Sequence, residues 1–171
     1  RAWVLAQLLW NPQLDDRALI REFLDGYYGA AAPYIARYFD LMHAASRDYN
    51  LTCFSKTDTP FHRFNVLYHA EDLWRKAEQA VAADPELLAR VRLGHLPLGY
   101  VWLSRWEKLR RECREAGGHW PLLASRREFA ERWVAQAKGD PARPWTQVRL
   151  LNESGLTPEK FLERFAQDPA E

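Results

Sequence analysis

Pairs of acidic residues are the most obvious candidates for chemistry in this 171-residue chain. Two carboxyl groups about 5 to 9.5 Å apart can act as acid and base on a glycosidic bond. The candidates are Asp15 with Asp16, Glu71 with Asp72, and the group Glu107, Glu112 and Glu115. All fall in predicted helices beside Arg or Lys, where charges at helix starts and surface ion pairs are common. We therefore predict that none of them is catalytic.

Histidines and cysteines offer a weak metal-binding pattern. His62 and His69 lie near Cys53, but only one pair of the three can share a helical face and a predicted loop intervenes. We favour ordinary buried or surface histidines and expect no metal and no cofactor. Cys53 and Cys113 match no metal or redox spacing, and the sequence leaves open whether they pair. Phosphate loops and nucleophile elbows are also absent from the sequence.

A third candidate lies where a predicted helix is irregular. Arg92 and His95 are next to Gly94, Pro97 and Gly99, and a broken helix can expose backbone groups to a ligand or a neighbouring domain. The alternative is that His95 and Arg92 form a polar plug within a helical bundle. We favour the plug.

Tryptophan is unusually frequent, with eight copies in the chain. Flat aromatic rings can stack on sugars or line a protein interface. The candidates for either role are Trp3, Trp10, Trp102, Trp106, Trp120 and Trp145. Core packing is favoured, because most aromatic residues fall on helical stripes. An exposed coplanar row among the last four would indicate binding, whereas inward burial would indicate packing.

Charge excludes several partners. The 24 basic and 23 acidic residues are mixed along the chain, so no strong field attracts nucleic acid. The densest basic stretch, Arg105 to Arg114, is interrupted by Glu107 and Glu112 and indicates a solvated helix face. There is no signal peptide and no long apolar run, so we expect a soluble segment with no membrane partner. The compartment stays open, with an extracytoplasmic location of the longer protein as one alternative.

The elements that would position these residues are almost all helical. We predict an all-α fold: an irregular, largely antiparallel bundle of six to seven helices, with one kinked or broken helix near Pro97. Residues 49 to 63 form a loop, and Thr146 to Leu151 form a short strand or extended stretch. The predicted helix starts are Asp15, Asn65, Asp84 before Pro85, Ser125 of a capping box, and Thr157 before Pro158.

The first residues form a helix that is apolar nearly all round. It covers residues 2 to 9 and stops at Asn11 and Pro12, because proline disfavours helical geometry in the residue before it. The chain begins inside this pattern without Met, so we expect a segment of a longer protein. We place residues 1–12 at the end of a preceding domain and residues 13–171 in a C-terminal helical domain.

Two stretches near the start carry a family resemblance. They are the run from Gln7 to Pro12 and the run Glu22-Phe-Leu-Asp-Gly-Tyr-Tyr-Gly-Ala-Ala31. Together, over residues 5 to 43, they resemble the end of the barrel and the start of the helical tail in a family of bacterial glycoside-hydrolase-like proteins, known mainly as a domain of unknown function. The barrel of that family is similar to those of α-glucuronidases and β-hexosaminidases.

The resemblance implies that residues 1 to 9 are the last outer helix of a barrel, with the catalytic acids upstream on barrel strands. The longer protein would then be a glycoside hydrolase, and this segment a non-catalytic accessory region packed on the barrel. The alternative is a module that binds carbohydrate or protein through exposed Trp and Tyr. The expected partners are accordingly the upstream barrel, a second copy in a homodimer, or a carbohydrate.

Overall fold

A computed structural model describes residues 2–52, 54–152 and 154–165 of the chain. Within them the fold is all-α, as predicted, with seven helices of nine or more residues, one short helix and no β-strand. The helices are α1 (Ala2–Trp10), α2 (Asp16–Tyr28), α3 (Ala32–Ser46), α4 (Phe64–Ala80), α5 (Pro85–Ser104), α6 (Trp106–Glu115), α7 (Arg126–Lys138) and α8 (Pro158–Glu163). Two 3₁₀ turns cover Gly29–Ala31 and Pro144–Thr146.

Local capping signals set the starts of four helices. The Asp15 carboxylate accepts hydrogen bonds of 2.8 and 3.1 Å from the first backbone N–H groups of α2. Asp84, Ser125 and Thr157 cap α5, α7 and α8 in the same way, each accepting from an N–H two or three residues ahead. These predicted caps are confirmed, because the side chain that satisfies the free N–H groups lies in the same short stretch of sequence.

The start of α4 differs from the prediction. The helix begins at Phe64 rather than after Asn65, and the capping residue Arg63 makes no side-chain cap. Instead, the Phe64 N–H donates a 2.8 Å hydrogen bond to Oε2 of Glu112 on α6. The cap is thus a contact between two helices, and it ties the start of α4 to α6.

Helix α5 runs unbroken through Pro97. A Cβ atom on Gly94 would lie 2.8 Å from the Trp74 ring, and one on Gly99 would lie 2.5 Å from the Trp133 ring. The two glycines therefore let indoles from α4 and α7 pack directly on the α5 backbone. Pro97 is on the exposed side of the helix, where water can replace a lost backbone hydrogen bond.

The long helical region instead leaves helical geometry at Arg105, between α5 and α6. Arg105 is buried, and its Nη1 donates hydrogen bonds of 2.8 and 3.1 Å to the carbonyl oxygens of Thr57 and Thr59. These bonds fasten the loop between α3 and α4 to the break. A buried guanidinium needs such acceptors, since an unpaired buried charge is strongly unfavourable.

The core consists of two clusters. The larger cluster contains residues of all helices from α2 through α6, including Trp74 and Trp102. The smaller cluster packs α5, α7 and α8 around Trp133 and Phe161. The predicted strand or extended stretch at residues 146 to 151 is not a strand. It is irregular chain attached by hydrogen bonds from Val148 N to Ala137 O and from Leu151 N to Leu156 O.

Candidate functional site

Helix α1 is the least buried element of the described structure. None of its residues is buried, and it exposes 57% of Leu5, 85% of Leu9 and 91% of Trp10. It ends at Trp10, just before Asn11 and Pro12, as predicted. Its attachment to the rest of the chain includes a ring contact between Trp3 and Phe23 of α2, with centroids 6.0 Å apart.

An apolar helix in this position is suited to docking. Burial of one large apolar side chain contributes about 1.5 to 3 kcal/mol. Leu9 and Trp10 gain almost none of that free energy within this chain, because their side chains are nearly fully accessible. Leu5 and Leu9 are one turn apart and so share a face of the helix, and Trp10 follows at its end.

The tryptophan candidates are divided by the structure. Trp102 and Trp106 are buried, at 0% and 1% exposure, so their faces are inaccessible to a sugar ring. Trp120 is half-buried and meets both edge-on, at interplanar angles of 82° and 74°. Trp145 is 44% exposed. These four rings form no coplanar exposed row, since three of them pack together where α5 and α6 meet.

A polar cluster lies between α4 and α5. Nε2 of His95 is 3.2 Å from Oε2 of Glu71, and Nδ1 of His95 is 3.2 Å from Oε1 of Glu78. The imidazole also stacks on Trp74, at 5.4 Å and 8°. One ring on α5 therefore bridges two carboxylates on α4.

The electrostatics of this cluster favour a fixed positive charge. Burial by itself lowers the pKa of His95, but the hydrogen bonds and charges of Glu71 and Glu78 outweigh it and raise the pKa to about 9. Burial raises the pKa of Glu78, yet His95 and then Arg92 bring it below its ordinary value. The raised pKa of His95 and the lowered pKa of Glu78 both favour a protonated imidazole beside an ionised carboxylate.

Further contacts support the plug interpretation for His95, whereas Arg92 lies at the surface with its side chain 51% exposed. Nε of Arg92 lies 3.3 Å from Oε2 of Glu78, and the Arg92 carbonyl accepts a 2.6 Å hydrogen bond from Gln136 of α7. The side chain of His95 is only 15% exposed. Most hydrogen-bonding groups of the cluster thus have partners within the chain, and the cluster connects α4, α5 and α7.

The partner of Glu71 is His95 rather than Asp72, its neighbour in the sequence. Asp72 instead forms ion pairs with Arg75 and Lys76 on its own helix. A seven-residue spacing, from Glu71 to Glu78, puts both carboxylates on one helical face. That spacing, opposite a lone histidine in an apolar helix, is the signal that could have identified the cluster from the sequence.

A groove opens beside the cluster, with a volume of about 440 Å³. We call it the His95 groove. It is lined by Tyr68, Glu71, Asp72, Arg75, Glu78, Gln79, His95, His119 and Pro121. Its size lies within the range of small-molecule sites, which bind through a few placed polar groups.

The remaining candidate acids have structural roles. Asp15 is a helix cap, Glu112 caps α4, and Glu115 lies 3.9 Å from Arg111 in an exposed ion pair. Asp16 lies in the first turn of α2 and Glu107 in the first turn of α6. These positions agree with the prediction that helix starts and surface pairs account for them.

His62 and His69, the described members of the weak metal pattern, belong to no metal-binding group among the described residues. Nδ1 of His62 contacts Thr57 O at 2.8 Å and Thr59 Oγ1 at 2.9 Å, and burial is the main cause that lowers its pKa. Within the described residues, no group of three potential ligands could hold a metal ion. Cys53 lies outside them. Cys113 is buried, with its thiol 3.4 Å from Gly118 O.

Comparison with known proteins gives one match. A family model described as a domain of unknown function (DUF4838) matches residues 1–40, less than a quarter of the chain. The matched part covers α1, α2, the first 3₁₀ turn and the first nine residues of α3. The chain matches no curated protein and no solved structure. In the described part of the chain, no helix has the length and apolar character needed to cross a bilayer.

Proposed function

We propose that this chain is a non-catalytic helical accessory region of a glycoside-hydrolase-like protein, and that α1 packs against the barrel of that protein. The observation that carries the proposal is the exposure of α1, whose Leu9 and Trp10 are 85% and 91% accessible although the helix is apolar. A helix that is apolar nearly all round is stable only against a partner. The barrel is that partner.

The family match supports this choice of partner. It is confined to residues 1–40, which contain the exposed helix α1 and the two elements that follow it. The same stretch carries the resemblance to the end of a glycoside-hydrolase-like barrel. The matched stretch and the exposed apolar surface thus coincide at α1.

The chemistry of the polar cluster supports a non-catalytic role. Cleavage of a glycosidic bond needs a carboxyl group that is protonated near neutral pH. The pKa of Glu78 is lowered, and His95, with a pKa of about 9, keeps its proton between two carboxylates. The lowered pKa of Glu78 thus argues against its use as a general acid.

The test is a binding measurement between this chain and the barrel of the same protein, produced separately. We expect the wild-type chain to form a complex by analytical ultracentrifugation and the double variant L9D/W10D to remain free. The matched control is Leu150→Asp, because Leu150 is also exposed, at 56%, but lies far along the chain from α1. Equal binding by wild type and L9D/W10D would contradict the proposal.

Two further outcomes would redirect it. A homodimer that L9D/W10D converts to a monomer would assign the α1 surface to a second copy instead of the barrel. Hydrolysis of an aryl glycoside by the purified chain, abolished by Glu71→Gln, would show that the segment is itself catalytic. We expect the chain to be inactive on aryl glycosides.

A further inference from the structure

We propose that the His95 groove is a binding site for a small, neutral, polyhydroxylated ligand such as a sugar or a polyol. This site is separate from the α1 surface and does not depend on docking to a barrel. It also differs from the expected sugar platform, because stacking on exposed tryptophans plays no part in it.

The first argument is the fixed orientation of Glu71. Its Oε2 accepts hydrogen bonds from His95 Nε2 at 3.2 Å and from the Trp102 indole N–H at 3.0 Å. Its Oε1 has no hydrogen-bond partner within the described residues and is not buried. One oxygen is anchored from the core, so the other is held in place on the wall of the groove. Such preorganisation lowers the entropic cost of binding.

The second argument is unused hydrogen-bonding capacity around the same space. Tyr68, Gln79 and His119 line the groove, and none of their side chains has a hydrogen bond to another described side chain or backbone group. Gln79 and His119 are exposed and Tyr68 is half-buried, so a ligand would replace water on these groups. With Glu71 Oε1 they provide both donors and acceptors. A ligand with several hydroxyl groups can satisfy them together, since each hydroxyl both donates and accepts.

The third argument is charge, which favours a neutral ligand. The carboxylates around the groove belong to Glu71, Asp72 and Glu78, and the cations that contact them are Arg75, Lys76, Arg92 and His95. The two signs are nearly balanced and already paired. A charged ligand would compete with these pairs, whereas a neutral one would leave them in place.

The groove also has an apolar end. A second groove of about 430 Å³ shares Glu78, His95 and Pro121 with the first and continues toward Phe129 and Trp133. A sugar has an apolar face of C–H groups as well as hydroxyls, and aromatic side chains suit that face. The two grooves together match the mixed character of such a ligand.

The experiment is an NMR titration of the full chain, following backbone amide signals. The neutral probes are xylose, glucose and myo-inositol, with xylotetraose as a probe for a chain end. Galacturonate and glucosamine are the charged counterparts. We expect saturable shifts confined to residues around the His95 groove with at least one neutral probe. Binding of xylotetraose but no monomer would assign the site to a glycan chain, which is also a neutral polyhydroxylated ligand and supports the proposal.

The variants Tyr68→Phe and Gln79→Ala each remove one open polar group. One lost hydrogen bond corresponds to a weakening of about 3- to 10-fold. The matched controls are Tyr49→Phe, at a half-buried tyrosine that packs on Phe61, and Gln13→Ala, at an exposed position; both should bind as wild type does.

Three outcomes would overturn the proposal. One is the absence of saturable shifts with every neutral probe up to its solubility limit. Another is binding of only the charged probes. The third is neutral binding that Tyr68→Phe and Gln79→Ala leave unchanged, because the ligand would then lie elsewhere on the chain.

Discussion

The indole nitrogen of Trp102 donates a 3.0 Å hydrogen bond to Oε2 of Glu71, which links a fully buried ring of the core to a carboxylate on the wall of a groove. The same oxygen accepts from His95, so α4 and α5 are joined by one shared acceptor. Trp102 is therefore a positioning residue for Glu71. Trp102 thus acts through its N–H group on Glu71, and its buried ring cannot stack on a ligand.

Removal of the Trp102 indole N–H should destabilise the chain. In Trp102→Phe, Glu71 loses a hydrogen bond to a charged group and the core loses ring volume, so we expect the free energy of unfolding to fall by about 2 to 4 kcal/mol. The control is Trp145→Phe, where the ring is 44% exposed and the expected change is within about 0.5 kcal/mol. Urea denaturation measures both. Equal losses in the two variants would show that the Trp102 contact adds nothing.

Stability should decrease as the pH rises from near neutral into the alkaline range. The pKa of His95 is raised from 6.5 to about 9 in the folded chain, so the folded state retains a proton that the unfolded state releases. The stabilisation is complete below the unfolded pKa and lost as the pH passes the folded pKa. From that shift we expect a loss on the order of 3 kcal/mol across this window. Denaturant midpoints measured from about pH 6 to about pH 10 give the slope.

A variant separates His95 from other titrating groups. His95→Gln should be less stable than wild type near neutral pH and should show a shallower decrease above it. His43→Gln serves as the control, because His43 lies near the end of α3, away from Glu71 and Glu78 in sequence, and should keep the wild-type slope. If His95→Gln retained the full slope, another group would be responsible.

Because Glu112 of α6 caps α4, substitutions at two glutamates of α6 should differ in their cost to stability. Glu112→Ala removes the acceptor of the Phe64 N–H and should cost about 0.5 to 2 kcal/mol, the usual range for a lost N-cap. Glu115→Ala, one turn later, removes only an exposed 3.9 Å pair with Arg111 and should cost less than about 0.5 kcal/mol. Thermal unfolding of the two variants measures the difference. A cost at Glu115 as large as that at Glu112 would contradict the cap.

The helix caps show which features a sequence can predict. Asp15, Asp84 and Thr157 cap helices through N–H groups within three residues, so type and spacing suffice. The acceptor for Phe64 is 48 residues away, and nothing near Asn65 indicates it. The local sequence therefore predicts Asn65 as the cap of α4, whereas in the structure helix packing brings Glu112 to the Phe64 N–H as its acceptor.

The polar cluster is predictable only in part. The sequence indicates His95 as a plug residue beside an irregular helix, and the structure places it largely inside the chain. Its partners Glu71 and Glu78 are 24 and 17 residues away, on a helix that also carries Asp72, Arg75 and Lys76. The choice among those charges depends on how α4 and α5 face each other, which is a tertiary property.

Two glycines within helices supply the last prediction. Gly99 permits Trp133 to touch α5, with its ring atom 2.5 Å from where a Cβ would lie, and Trp133 is held by a 2.9 Å hydrogen bond to Leu96 O. Gly99→Ala should therefore cost about 1 to 3 kcal/mol through overpacking. Gly26 is the opposite case, in the last turn of α2, where a Cβ would have no atom within 4 Å.

Gly26→Ala should stabilise the chain by about 0.5 to 1 kcal/mol, because alanine restricts the unfolded state and favours the helix. Chemical denaturation of Gly26→Ala beside Gly99→Ala measures the two opposite signs. A loss of stability in Gly26→Ala would mean that α2 has an unseen constraint at this position. If Gly26→Ala is more stable, as expected, packing within the described residues does not require a glycine at this position. If Gly26→Ala then bound the barrel more weakly, the glycine would be explained by a docking surface that extends from α1 onto α2.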